Sequence, residues 1–348
     1  MPRRLALALL IFAVSLTALT GLWTWAGWQL EAALTAWAQT RRAEGWTVSY
    51  RGPETAGWPL RLTADVEEPV LISPRGFRWQ GPEIGLESTL WAPLTLEVNA
   101  PGAHEFRWPP LRPGGSGGQA TLQSEAADGT AHFAADGRLR RLDVHFRTTR
   151  LVQPGQSTQS ALAIGEVNLK LQEPLVQVQS GPARVRLDAR DLVLPEKARP
   201  ILGREMARLA FDGRISGSFP QGPLGAALTA WRESGGRVEV DRIDMEWGPL
   251  DLTGEGVLGL DAQLRPVGEF TATASGLAQT IDRFVAAGRM EQGAALAAKL
   301  ALGAFAKTDT KTGRTTLTVP VSFRDGLCYL GPVPLFPVPP LPVILDPA

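Results

Sequence analysis

The chain has 348 residues, 44% hydrophobic and 20% charged, which gives it the length and apolar content for a continuous core. Its 35 basic and 35 acidic residues cancel, leaving no global field to steer it onto nucleic acid or an anionic substrate. A lone cysteine, Cys328, excludes an intramolecular disulfide and a cysteine-built zinc site.

At the N-terminus, Arg3 and Arg4 precede an uncharged run from Leu5 to Leu30, longer than the ~20 residues a helix needs to cross a bilayer. Trp23, Trp25 and Trp28 crowd its far end, where indole rings favour the headgroup layer, and the arginines hold the near end in the cytoplasm. The expectation is a single-pass bacterial inner-membrane anchor through residues 5–30, N-terminus cytoplasmic and main domain periplasmic. Ala36-Trp37-Ala38 also fits a signal-peptide cleavage site, but the apolar run exceeds the roughly 7 to 15 residues of a signal-peptide core. Residues 28–45 continue as a helical stalk closed by Gly45, so 1–40 read as cytoplasmic tip, anchor and stalk.

From Trp46 the apolar period becomes two. Leu142, Val144 and Phe146 alternate with Asp143, His145 and Arg147, and Val185, Leu187 and Ala189 with Arg184, Arg186, Asp188 and Arg190. Leu317, Val319, Val321 and Phe323 repeat the pattern, and turn signals such as Asp136-Gly137, Ser180-Gly181-Pro182, Asp212-Gly213 and Asp325-Gly326 punctuate it. The fold class is mainly β with a few helices: an elongated, curved antiparallel sheet over residues 41–325, preceded by the transmembrane helix. Trp58-Pro59-Leu60-Arg61-Leu62, Trp91-Ala92-Pro93-Leu94-Thr95-Leu96 and Trp247-Gly248-Pro249-Leu250-Asp251-Leu252 read as recurring strand starts, each with a tryptophan covering the sheet end. Helical spacing appears over Gly222–Ser234, and again over Leu277–Val285 and Gly293–Ala306, the last two forming a short helical hairpin beside the sheet. Gly114 to Gly118 form a linker, a soft boundary near 113–118.

No constellation in the sequence supports catalysis. Gly254-x-Gly256-x-x-Gly259 has dinucleotide-fingerprint spacing, but Leu260, Ala262 and Leu264 alternate after it as a strand, so it reads as a glycine-rich β-turn. His104, His132 and His145 lack metal-ligand spacing, and there is no Gly-x-Ser-x-Gly elbow. Glu67 and Glu68 are strand neighbours, expected on opposite faces, and Cys328 reads as a small buried hydrophobe. The expected catalytic, cofactor and metal residues are therefore none, and the protein is expected not to be an enzyme. From 326 to 348 the chain is a proline-rich apolar tail, too rich in proline for a membrane helix, that is expected to lie along the protein's own sheet or helical hairpin, the alternative being that it docks a partner or a membrane surface.

Gly57-Trp58-Pro59-Leu60-Arg61-Leu62, Arg75-Gly76-Phe77-Arg78-Trp79-Gln80-Gly81-Pro82 and Trp91-Ala92-Pro93 resemble the alphaproteobacterial envelope family termed domain of unknown function 2125. Val238 to Leu341, with Phe323-Arg324-Asp325-Gly326-Leu327 leading into Gly331-Pro332-Val333-Pro334, resembles the ends of AsmA-like envelope proteins. The resemblance implies an N-terminally anchored periplasmic β protein with a role in phospholipid movement or outer-membrane homeostasis, and transfers no catalytic residue. The expected partners are the inner membrane through residues 5–30, phospholipid and other envelope proteins, with no nucleic acid. An apolar sheet face too wide for the few helices to cover leads to a lipid-binding or lipid-transferring protein; the alternative is an assembly protein with a self-closed β core.

Overall fold

The computed structural model describes residues 2–74, 76–109, 118–153, 161–172, 182–196, 199–217, 224–305, 307–308, 315–330 and 333–341. Residues 114–117 of the expected linker, Arg75, Ser180-Gly181, Gly331-Pro332 and the last residues of the tail lie outside them, whereas Gly118, expected in the linker, is the first residue of a strand paired to Trp108. Anchor and stalk are one uninterrupted helix, α1 (Pro2–Ala43), apolar enough to cross a membrane by length and composition. Arg41 and Arg42 fill its last turn, where cations offset unsatisfied carbonyls. The Arg42 guanidinium also donates to the Val48 carbonyl at 2.7 Å, and Gly45 takes the left-handed φ of 87° that lets the chain turn back.

The rest is dominated by one antiparallel sheet. β1 (Thr47–Ala56) pairs with β2 (Arg61–Ile72), whose other edge is shared by β4 (Glu83–Thr89) and β3 (Arg78–Gln80). Two tracks then run end to end. One continues through β6 (Gly102–Trp108) and β7 (Gly118–Ser124), the other through β5 (Ala92–Asn99) and β8 (Ala126–Phe133). They rejoin on β9 (Leu139–Val152). From there β10 (Leu162–Gln172), β11 (Ala183–Val193), β12 (Glu205–Ser216), β13 (Arg237–Trp247), β14 (Leu250–Leu260) and β15 (Pro266–Ser275) each pair with the strand before them. β17 (Thr315–Arg324) follows β15, with β16 (Lys307–Thr308) on its opposite edge, and β18 (Leu327–Leu330) and β19 (Val333–Pro337) continue the sheet. Backbone groups at Val338 and Leu341 bond to Gly326 and Leu264, so the described part of the proline-rich tail lies on the protein itself.

Helices pack where their apolar stripes meet strand ends. Leu30 and Leu34 of α1 sit on Ala64, Val66 and Leu86, and Ala38 is fully buried. α2 (Leu224–Glu233) presses Leu228 and Trp231 onto Leu260, Ile215 and Val238, and the Trp231 indole donates to the Ser216 carbonyl at 2.7 Å. α3 (Leu277–Ala286) and α4 (Gln292–Phe305) pack as the expected hairpin, tied by a Lys299–Asp282 ion pair.

Several local expectations are corrected. Glu68 adopts φ 46° in a bulge opposite β1, so strand alternation breaks there and Glu67 and Glu68 both reach Arg51. The three tryptophan motifs do begin strands, but only Trp247 is packed, its indole donating to the Gly203 carbonyl at 2.7 Å. Trp58 and Trp91 protrude. The fingerprint glycines lie inside β14 and form no turn; the turn is the following Asp261–Arg265 segment, where the Asp261 carboxylate accepts from the amides of Gln263 and Arg265.

Candidate functional site

The sheet register sorts side chains by face. Ala64, Leu86, Val98, Gly129, Val144, Leu169, Leu187, Phe211, Ile243, Gly254, Ala272 and Val319 are successive cross-strand neighbours from β2 to β17. A second row beside it holds Leu96, Ala131, Leu142, Leu171, Val185, Gly213, Val240, Gly256, Phe270 and Val321. A third, on the other side, holds Ala127, Phe146, Val167, Ala189, Leu209, Met245, Leu252, Ala274 and Leu317. No position in the three rows carries a polar side chain, and cross-strand pairs of this kind stabilise a sheet by mutual packing.

Cover over this face is uneven. Leu30 and Leu34 of α1 lie against its beginning, beside Leu96 and Val98, and α2 lies against Ile215 and Val238. In the middle, the buried cluster of Ala189, Leu192 and Met206 is packed by Ile164, Val167, Leu209, Met245 and Trp247, all strand residues. Leu169, Leu187, Phe211 and Ile243 remain only half-buried. Aromatic rings lean over glycines and fill the notches. A Cβ on Gly213 would lie 2.8 Å from the Phe211 ring, and one on Gly256 would lie 2.8 Å from the Phe270 ring and 2.3 Å from the Glu269 carbonyl. Of the glycines in the dinucleotide-like spacing, Gly256 and, at 3.2 Å from the Thr271 carbonyl, Gly254 thus serve close packing within a strand, whereas a Cβ on Gly259 would meet nothing nearer than 3.8 Å.

The opposite face is a charge ladder. Asp212 accepts from Arg184 and Arg186, Asp188 from Arg190 and Arg208, and Arg214 reaches Asp241 and Glu239. The hydrogen bond from Arg184, joined by that from Arg186, holds the Asp212 carboxyl below the usual carboxylate range against the opposing effect of burial.

The three histidines stay apart. His132 and His145 lie on the polar face, His132 against the Thr95 hydroxyl at 3.1 Å and His145 against Glu166 at 3.1 Å. His104 is buried, stacked on Trp79 with 6.0 Å between ring centroids, its Nε2 on the Ala100 carbonyl. Cys328 is buried and its thiol pKa is raised by burial, the opposite of what an activated nucleophile requires. Among the described residues no group of three or more His, Cys, Asp or Glu side chains is placed to hold a metal ion.

Residues 23–339 match the profile of a family described as an uncharacterized protein conserved in bacteria, DUF2125. The chain belongs to this family. Its match begins at Trp23, whose indole donates to the Arg61 carbonyl at 2.6 Å, so the DUF2125 unit takes in the half of α1 that packs on β2 as well as the sheet. No curated protein and no solved structure matches the chain.

Proposed function

We propose that this DUF2125 protein is a non-enzymatic envelope protein, anchored in the bacterial inner membrane by α1 with its N-terminus cytoplasmic and its sheet periplasmic, that holds or passes lipid acyl chains along its apolar face. The observation that carries the reading is the triple row of apolar side chains from β8 to β17, in which α1 packs only on the strands before β8, α2 covers only the ends of β12 to β14, and Leu187 and Phe211 stay half-buried. Each methylene placed there contributes about 0.8 kcal/mol, so a shallow apolar track binds an acyl chain usefully. The positive charge of Arg3 and Arg4 before the apolar run, with none again until Arg41, supports the orientation. The resemblance of Val238 to Leu341 to AsmA-like proteins points to the same lipid-handling class.

The test is in-cell photocrosslinking on the full-length protein, with a photoreactive amino acid at Leu187 on the apolar face or at Arg186 on the charged face. Phospholipid covalently attached at Leu187 and absent at Arg186 is the expected result. No lipid at either position, with the protein folded, would replace this reading with an assembly protein whose apolar face is closed by its own chain or by a protein partner.

A further inference from the structure

Two hairpin ends on one edge of the sheet, β1–β2 and β4–β5, are apolar where a soluble turn would be polar. Trp58 is 49% exposed and Leu60 50% in the β1–β2 turn, and Trp91 is 68% exposed and Leu94 47% at the β4–β5 turn. The two ends are joined by the Leu90 amide donating to the Leu60 carbonyl at 3.1 Å. The tip is also pinned to α1. The Trp58 indole donates to the Thr20 hydroxyl at 3.2 Å and the Trp23 indole to the Arg61 carbonyl at 2.6 Å.

These bonds set a depth. Counted from Leu5, about 20 helical residues fill the apolar layer of a bilayer, which puts its far boundary near Trp23 to Trp25. Thr20 lies some four residues inside that boundary, or ~6 Å at the helical rise of 1.5 Å per residue. Trp58 is held at that level, while Arg61, ion-paired with Glu87 at 3.1 Å, stands one turn of α1 higher, among headgroups. The sequence Trp, Leu, then charge is the order of an interfacial segment.

We propose that the paired β1–β2 and β4–β5 tips form a wedge that enters the leaflet on the sheet's side of the same bilayer that α1 crosses, giving the protein a second membrane contact and seating the first strands on the lipid. The occupant is phospholipid because the tip is continuous with the membrane helix and fixed at its depth. The next described turn at the same edge of the sheet, Ala134 to Arg138, carries an Asp136–Arg138 ion pair and is built for water, so the apolar tip is confined to strands beside α1. The proposal rests on α1 crossing the bilayer, the anchoring half of the reading above, and not on lipid occupying the sheet.

The experiment is nitroxide depth measurement on the full-length protein in phosphatidylethanolamine and phosphatidylglycerol vesicles, with Cys328→Ser removing the native thiol. Labels are placed by Trp91→Cys at the tip, Phe12→Cys in the anchor and Ala135→Cys on the polar turn, with Leu94→Cys reporting the same tip if the tryptophan variant fails to fold. The oxygen-to-nickel-chelate accessibility ratio at the tip is expected to approach that at 12 and to exceed that at 135 several-fold. A tip as water-accessible as 135, with 12 in lipid, overturns the wedge, leaves the anchor intact and points to a protein partner at the tip. A water-exposed label at 12 overturns both.

Discussion

Asp212 shows how single residues hold the polar face. It joins Arg184 and Arg186, both on the preceding strand β11, and Asp212→Asn removes both charge-assisted pairs. The expected cost is about 1 kcal/mol, because the arginines are half in water. Since the folded-state pKa of Asp212 is depressed, its contribution is fully present above the unfolded value of about 3.9 and is lost as pH falls through the folded value. Thermal midpoints of variant and wild type should therefore differ near neutrality and converge in acid. A constant difference across that range would mean that the side chain acts through packing. At this scale the sequence was legible where alternation alone decides a side chain's face, as for Arg186, Leu187 and Asp188. It misled where a bulge intervenes, as at Glu68, and where a tryptophan's environment lies outside its own strand, as at Trp58.

Among the elements, α1 carries two duties in one helix. Leu5 to Leu30 reads as a candidate membrane span from sequence alone, whereas the docking of Leu30 and Leu34 on β2 depends on a hairpin about 30 residues away and leaves no local signal. Leu34→Asp, which sets a charge against Ala64 and Leu86, should cost about 3 kcal/mol and expose the stalk to protease while membrane extraction behaviour stays unchanged. Intact protease resistance would show that the helix does not need this contact. The helices α2, α3 and α4 were readable from 3.6-residue spacing, and the strands from period two. Within β14 the sequence marks the strand start at Leu250-Asp251-Leu252 but misleads over Gly254 to Gly259, because glycine spacing resembles loop chemistry more than it resembles a strand packed under Phe270.

For the whole molecule, alternation revealed that an apolar face exists, but only the ladder register shows that it is continuous from β8 to β17. The residues of one row are far apart in sequence, and no periodicity links Val144 to Val319. Leu187→Arg plants a guanidinium midway along the row, between Leu169 and Phe211. If acyl chains travel along the face, crosslinked lipid at Val319 should fall several-fold in this variant and persist at Val144. Equal labelling at both sites would show local binding without passage.

The neighbour-by-neighbour pairing from β9 to β15 also bears on how the protein is made. Each of these strands finds its partner in the segment synthesised just before it, so their contacts are local and the entropy of closing each hairpin loop is small. The earlier part is different, because β2 must await β3 and β4, and β9 must arrive before β7 and β8 are joined. A chain emerging N-terminus first would thus meet its slowest assembly step early, with α1 already made, and add the remaining strands one at a time onto an edge that is already formed.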